Sequence, residues 1–158
     1  GEAPLGVAEL HALDNNLTIE YKRITAEEIA LERPGQYDIV TCLEMLEHVP
    51  DPAAIVNACA SLCKPGGHLY FATINRNPKS YLFAILGAEH ILRLLPKGTH
   101  DYEKLIKPSE LHHWIRASGL NLKDSTGMTY NPLTQQYKLK SNNLDVNYLL
   151  HAIKPPSQ

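Results

Sequence analysis

The chain has little cysteine, no surplus of charge of either sign and no long apolar run, and each shortage removes a class of protein. Cys42, Cys59 and Cys63 are an odd number among 158 residues and build no complete disulfide framework. No apolar signal segment opens the sequence, so a reducing, cytoplasmic setting is expected. Fifteen basic against seventeen acidic side chains give a formal charge of −2, which offers nucleic acid no basic field and leaves no acidic tail. The most apolar stretch, 81–95, is interrupted by Glu89, His90 and Arg93 before it reaches the roughly 20 residues that span a bilayer. Internal repeats and low-complexity segments are missing as well, which argues against a solenoid or a disordered chain. What is present is 44% hydrophobic content, enough for one globular domain over residues 1–158 with its own core.

Periodicity then orders the elements. Leu5, Ala8, Leu10, Ala12 and Leu13 fall near one face of a helix over 4–15, which Asp14-Asn15-Asn16 ends. Residues 17–24 alternate as a short strand, and Thr25-Ala-Glu-Glu28 has the form of a capping box ahead of a brief helix closed by Arg33-Pro34-Gly35. Tyr37-Asp-Ile-Val-Thr-Cys-Leu43 reads as a buried strand. Asp51 is a natural N-cap with Pro52 at the first position of the next helix, and Lys64-Pro65-Gly66-Gly67 stops that helix before a strand over 68–74. Helical patterns over 79–95 and 107–117 follow, inside and after a helical insertion at about 77–107, and 120–130 and 145–153 read as final strands that pair antiparallel. Strands alternating with helices at short connections predict an α/β fold, a doubly wound, mostly parallel sheet.

The run Gln36-Tyr-Asp-Ile-Val-Thr-Cys-Leu-Glu-Met-Leu-Glu-His-Val-Pro-Asp-Pro52, followed by Leu62-Cys-Lys-Pro-Gly-Gly67 and a strand, resembles the fourth and fifth strands of class I S-adenosylmethionine-dependent methyltransferases. Thr73-Ile-Asn-Arg-Asn77, Gly87-Ala-Glu-His90, Pro96-Lys-Gly-Thr-His100, Ile106-Lys-Pro108 and Asp145-Val-Asn-Tyr148 resemble, more narrowly, the O-methyltransferases of ubiquinone biosynthesis. That resemblance implies S-adenosylmethionine as cofactor and methyl transfer to a hydroxyl of a polyprenylated catechol or hydroxyphenol. It also implies a departure. Family members carry a first strand ending in a Gly-rich loop and a second ending in an acid, and the glycines here, at 1, 6, 35, 66, 67, 87, 98, 119 and 127, form no G-x-G cradle. Gly1 stands where an initiator methionine would, so the chain is expected to correspond to the C-terminal two-thirds of such an enzyme, lacking the first two strands. The sheet edge so exposed is expected to self-associate.

Glu44, Glu47 and His48 stand at i, i+3 and i+4, a spacing that puts them on one face of a helical turn just beyond a strand's carboxyl end, where open α/β sheets bind ligands. Two carboxylates and an imidazole suit Mg²⁺, Mn²⁺ or Zn²⁺, and the resemblance favours Mg²⁺. The same residues also read as a solvated turn, and without a metal His48 serves as a general base. Leu43, at the end of its strand, and Ile24-Thr25-Ala26, at the end of the preceding one, are placed against the cofactor by the resemblance and its topology. Cys59 and Cys63 share a helical face but lack a second pair for zinc, and adjacent His112 and His113 point apart.

Residues 77–97 join an apolar stripe of Tyr81, Leu82, Phe83, Ile85, Leu86, Ile91 and Leu95 to Arg76, Lys79, Arg93 and Lys97 around it. This composition suits a helix lying in an anionic membrane interface, or a lid over a lipid-like substrate, as well as an ordinary core helix. A polyprenylated phenol dissolved in the bilayer places the enzyme in the cytoplasm, peripheral to the inner membrane. The rival reading is a non-catalytic, methyltransferase-like fragment that binds a partner or a membrane surface. A third is a methyltransferase for another hydroxylated small molecule.

Overall fold

The structure, a computed structural model, describes residues 1–81, 101–131, 134–141 and 143–156. Helices α1 (Glu2–Asp14) and α2 (Ala26–Glu32) precede strand β1 (Tyr37–Leu43), a 3-10 turn (Leu46–His48), α3 (Pro52–Leu62) and β2 (Cys63–Ile74). A single turn α4 (Pro78–Ser80), a 3-10 turn (Tyr102–Lys104), α5 (Pro108–Ala117), β3 (Asn121–Asn131), β4 (Gln136–Ser141) and β5 (Asn147–Ile153) complete the order. The greater part of the expected 79–95 helix, with Leu82, Phe83, Ile85, Leu86, Ile91, Arg93 and Leu95, lies outside the described residues, as does Lys97.

Local chemistry explains the element boundaries. Thr25 accepts a hydrogen bond from the Glu28 amide while the Glu28 carboxylate accepts one from the Thr25 amide, so both orphan donors at the start of α2 are satisfied. Asp51 caps α3 by accepting from the Ala54 amide, with Pro52 at the first position where no N–H is needed. At the other end of α3 the Lys154 ammonium donates to the carbonyls of Ala60 and Cys63, at 2.8 and 2.9 Å. Gly66 turns the chain with φ +80°, and Gly67 lies so close to Cys63 Sγ and the Asp38 carbonyl that a Cβ there would sit 2.6 and 2.8 Å from them.

The five strands form one sheet in the order β1-β2-β5-β3-β4. The α/β class is as expected, but the sheet is mixed rather than mostly parallel: β1 and β2 are parallel through the α3 crossover, and the β2–β5, β5–β3 and β3–β4 pairs are antiparallel. The reason is β5, which inserts between β2 and β3 and runs against both. Residues 17–24, expected as a strand, form none, because an isolated extended segment gains nothing until a neighbour completes its ladder, and β1 remains an outer strand of the sheet. The α1 face expected to be buried is likewise turned out, with Leu10 and Leu13 exposed and Ala12 alone buried.

Helices α3 and α5 pack on one face of the sheet. Ile55, Val56 and Cys59 of α3 and Leu111 and Ile115 of α5 close over Cys42, Leu69, Phe71, Leu150 and Ala152. At roughly 1.5–3 kcal/mol per fully buried large side chain, this face supplies the main driving force for folding. Tyr148, wholly buried, spends its hydroxyl on the Ile106 carbonyl at 2.9 Å. On the opposite face Ile39 and Leu43 are 59% and 52% exposed, so the second helical layer of a doubly wound fold is not built from the described residues. No helix among the described residues is long and apolar enough to cross a membrane.

Candidate active site

The site grows from the carboxyl ends of β1 and β2. The ladder pairs Leu43 with Ala72 and ends as the Glu44 amide donates to the Ala72 carbonyl at 2.9 Å. Glu44 then takes φ +51°, a left-handed conformation that a residue with a Cβ adopts only where its surroundings hold it, and the chain turns into Leu46–His48. Leu46 anchors the turn in the core with no exposed surface, carrying Glu47 inward to 3% exposure.

Glu47 is thus a buried carboxylate. Its Oε2 accepts a hydrogen bond from Thr73 Oγ1 at 2.8 Å, while its Oε1 has no partner. Leaving such an atom unsatisfied costs about 1–3 kcal/mol or more for a charged group, so a site that retains it holds an acceptor free for something to come. Beside it, Glu44 keeps an exposed surface, yet the packed end of the sheet strips enough water from its carboxyl, and Glu47's charge adds enough repulsion, to push it up to about 7.

The helical face expected for Glu44, Glu47 and His48 does not form. Glu44 precedes the turn in a left-handed conformation and the turn itself is 3-10, so the α-helical period is lost; Glu44 and Glu47 interact, and His48 is exposed. Among the described residues no three His, Cys, Asp or Glu side chains are grouped to hold a metal. Two carboxylates with one oxygen unpartnered nevertheless fit a hard cation such as Mg²⁺, which is held by one or two carboxylates and completes its shell with water and substrate oxygens. His48 is not needed for that set.

Leu43 lies where expected, half exposed at the end of β1. Ile24, Thr25 and Ala26 are not gathered around it. Ile24 lines a separate open hollow of about 460 Å³ with Ile19, Lys22, Arg33 and Tyr37, Thr25 is engaged in capping α2, and Ala26 packs into the core. Sequence reasoning missed Thr73, whose signal was a lone hydroxyl in the buried run Leu69-Tyr-Phe-Ala-Thr-Ile74. It also missed a hollow of about 240 Å³ beside the turn, lined by Val49, Pro50, Arg76, Ile106 and Trp114. Arg76 there is ion-paired with Glu110 and donates to the Glu103 carbonyl, and Lys79 pairs with Asp145, so the two described cations of the four expected to ring an interfacial helix have protein partners.

The site is thus a strand-end carboxylate pair on a mixed α/β sheet. A family model described as a methyltransferase domain matches residues 7–124, three quarters of the chain. The chain belongs to the methyltransferase-domain family. Within the family it is 65% identical over 98% of its length to a ubiquinone biosynthesis O-methyltransferase of Acinetobacter baylyi. It is 59% identical, again over 98%, to a protein of the same name from Saccharophagus degradans. The chain spans 65% of the length of each. A SAM-dependent methyltransferase from Aquifex aeolicus shares the family fold with TM-score 0.62 at 9% identity, over 95% of this chain and 63% of that one.

Proposed function

We propose that the whole protein to which this chain belongs transfers a methyl group from S-adenosylmethionine to a hydroxyl of a polyprenylated catechol or hydroxyphenol in ubiquinone biosynthesis. The observation that carries the reading is identity of 59–65% across nearly the whole chain to relatives named ubiquinone biosynthesis O-methyltransferase. The carboxylate pair at the strand ends, with Glu47 buried, supports it chemically.

S-adenosylmethionine, when bound, supplies a sulfonium methyl group, and the acceptor must present a nucleophilic oxygen in line with it. The Glu44 carboxyl, held at about 7, is matched to receive a phenolic proton near neutral pH. Glu47, fixed by Thr73, orients the pair and discourages a second negative charge beside it. With an acceptor bound beside the pair, the Glu44 carboxylate would take the phenolic proton. If Mg²⁺ binds, Glu47 Oε1 and Glu44 would hold it, and it would lower the pKa of the acceptor hydroxyl. His48, exposed at the same turn, is the alternative proton acceptor.

The residues present do not complete a cofactor site, since the glycines form no G-x-G cradle, Ile24 lines the separate hollow and Thr25 is engaged in capping α2. This favours a second reading for the 158-residue chain taken alone, a non-catalytic module that self-associates through the outer edge of β1. The peripheral membrane location and the contact through 77–97 remain part of the proposal for the whole protein. Radiolabelled methyl transfer to a catechol by the whole protein tests the first reading, with Glu44→Gln and Glu47→Gln expected to lose most of the rate; sedimentation velocity of the 158-residue chain tests the second.

A further inference from the structure

The hollow of about 240 Å³ beside the carboxylate turn takes no part in the proton transfer at Glu44. Its walls come from two neighbouring strand ends. Val49 and Pro50 follow the turn after β1, and Arg76 stands two residues past Ile74, where β2 ends. Ile106, just before α5, and Trp114 within it close the other side. Hydrogen bonds join this wall to the site: the Ile106 amide donates to the Ile74 carbonyl at 3.1 Å, and the Ile106 carbonyl accepts from the Tyr148 hydroxyl. Burial pushes that hydroxyl up, and the charges of Glu110 at the hollow and of Glu47 and Glu44 at the turn push it further, so all three carboxylates act on one buried group.

Arg76 is fixed in place before any ligand arrives. Its guanidinium is ion-paired with one Glu110 oxygen and donates to the Glu103 carbonyl at 3.0 Å, while the other Glu110 oxygen accepts from the Lys107 amide at 2.8 Å. Of the five N–H donors of a guanidinium, two are spent on these partners among the described residues and three remain. A side chain held in this way loses little further freedom when it meets a ligand oxygen.

Charge and size narrow the ligand. Arg76 and Lys104 on the walls are matched by Glu103 and Glu110, so the hollow suits an uncharged oxygen rather than a free anion. Val49, Ile106 and the half-buried Trp114 supply apolar surface, and apolar walls with a few fixed donors are the makings of a small-molecule site. A cavity of about 150 Å³ holds benzene, so this one admits a single substituted ring and leaves a long side chain outside.

We infer that the hollow seats the phenolic ring of the acceptor against Trp114, with Arg76 donating to the ring oxygen next to the one that is methylated, which makes Arg76 a specificity-determining residue for ortho-dioxygenated rings. The inference deepens the proposed methyl transfer and rests on it for its purpose, but ring binding is measured without any transfer. The probes are a catechol and a phenol, each carrying one isoprenyl group, titrated into the whole protein. Binding is followed by tryptophan fluorescence with Trp114→Phe as the blank, since Trp114 is the single tryptophan of this chain. The catechol should bind about tenfold or more tighter than the phenol, the factor that one hydrogen bond to a charged donor supplies. Arg76→Lys keeps a charge opposite Glu110 but loses the planar fork, and should erase most of that preference while phenol affinity stays within about twofold. In steady state it should raise KM for the catechol more than it lowers kcat. Val49→Phe fills the hollow from a partly exposed position and should weaken both ligands about tenfold with unchanged melting temperature. If Arg76→Lys weakens both ligands alike and lowers the melting temperature, Arg76 is structural and the inference is overturned. Catechol binding that ignores Val49→Phe overturns it too, since the ring would then sit elsewhere. An Arg76-dependent catechol preference in a protein without methyl transfer upholds the inference and defeats the catalytic reading alone. Methyl transfer with acceptor affinity indifferent to both variants does the reverse.

Discussion

Thr73 Oγ1 donates to Glu47 Oε2 at 2.8 Å, and this one bond ties the end of β2 to the turn after β1 through a carboxylate that is almost wholly buried. Both partners are inaccessible to water, so the bond has no solvent replacement. Thr73→Val keeps the volume and removes the donor, leaving both Glu47 oxygens unpartnered. The expected loss is about 1–3 kcal/mol of stability, together with a fall in kcat larger than any rise in KM, because Glu47 is loosened in the transition state without removing a substrate contact. Thermal melts and steady-state kinetics of the whole protein check this; equal changes in kcat and KM would show that Thr73 acts through folding or binding alone.

Glu44 makes a prediction about pH. Its folded carboxyl, pushed up to about 7, lies above the 4.5 of the unfolded chain, so the folded state binds its proton more tightly. Its contribution to stability is accordingly complete below about 4.5 and is lost as pH rises through about 7. Glu44→Gln should flatten the pH dependence of the melting temperature between those values, and a metal-free protein is the proper sample. If the ionised form accepts the phenolic proton, kcat should rise with pH through the same region in the parent and not in the variant. An unchanged pH slope in Glu44→Gln would assign the dependence to another group.

Much of this arrangement was legible in the residues, and the rest was lost for identifiable reasons. The Thr25–Glu28 capping box, the Asp51-Pro52 start of α3 and the turn at Gly66 are local, set by side chains within three or four residues of the backbone they satisfy, and each appears as read. Glu44 and Glu47 interact, though not on the α-helical face on which the expectation rested. His48 failed to join them because a 3-10 turn and a left-handed residue replace the α-helical period on which the prediction relied. The strand expected over 17–24 failed for a non-local reason, having no ladder to enter. Strand β4 is the opposite case: Tyr137-Lys-Leu-Lys140 alternates plainly, but the run is short and lies between the two strands expected over 120–130 and 145–153.

Gly127 carries a prediction about the fold alone. A Cβ there would stand 1.6 Å from the Asn143 carbonyl oxygen, a distance at which backbone must move. Since β3 at this point pairs with both β4 and β5, the displacement would break register on two sides. Gly127→Ala should therefore destabilise by several kcal/mol, well beyond the roughly 0.5–1 kcal/mol by which Gly and Ala ordinarily differ in a strand. An unchanged melting temperature would mean that residue 143 is free to retreat.

The last prediction concerns the unpartnered oxygen of Glu47. A buried carboxylate atom without a donor is satisfied either by a proton shared with Glu44 or by a cation, and the two alternatives respond differently to added metal. If Glu44 and Glu47 hold Mg²⁺, the folded state binds an ion that the unfolded chain does not, so the melting temperature should rise with Mg²⁺ concentration and fall back in EDTA. Glu47→Gln should abolish the response, since an amide there keeps its shape but offers one weaker oxygen. His48→Ala should preserve it, because the two carboxylates alone supply the oxygen ligands a hard cation takes. Methyl transfer by the whole protein should follow the same pattern, reduced by chelator and by either Glu substitution. A melting temperature indifferent to Mg²⁺, with full activity in EDTA, would remove the metal and leave the Glu44 proton as the partner that Glu47 was built to meet.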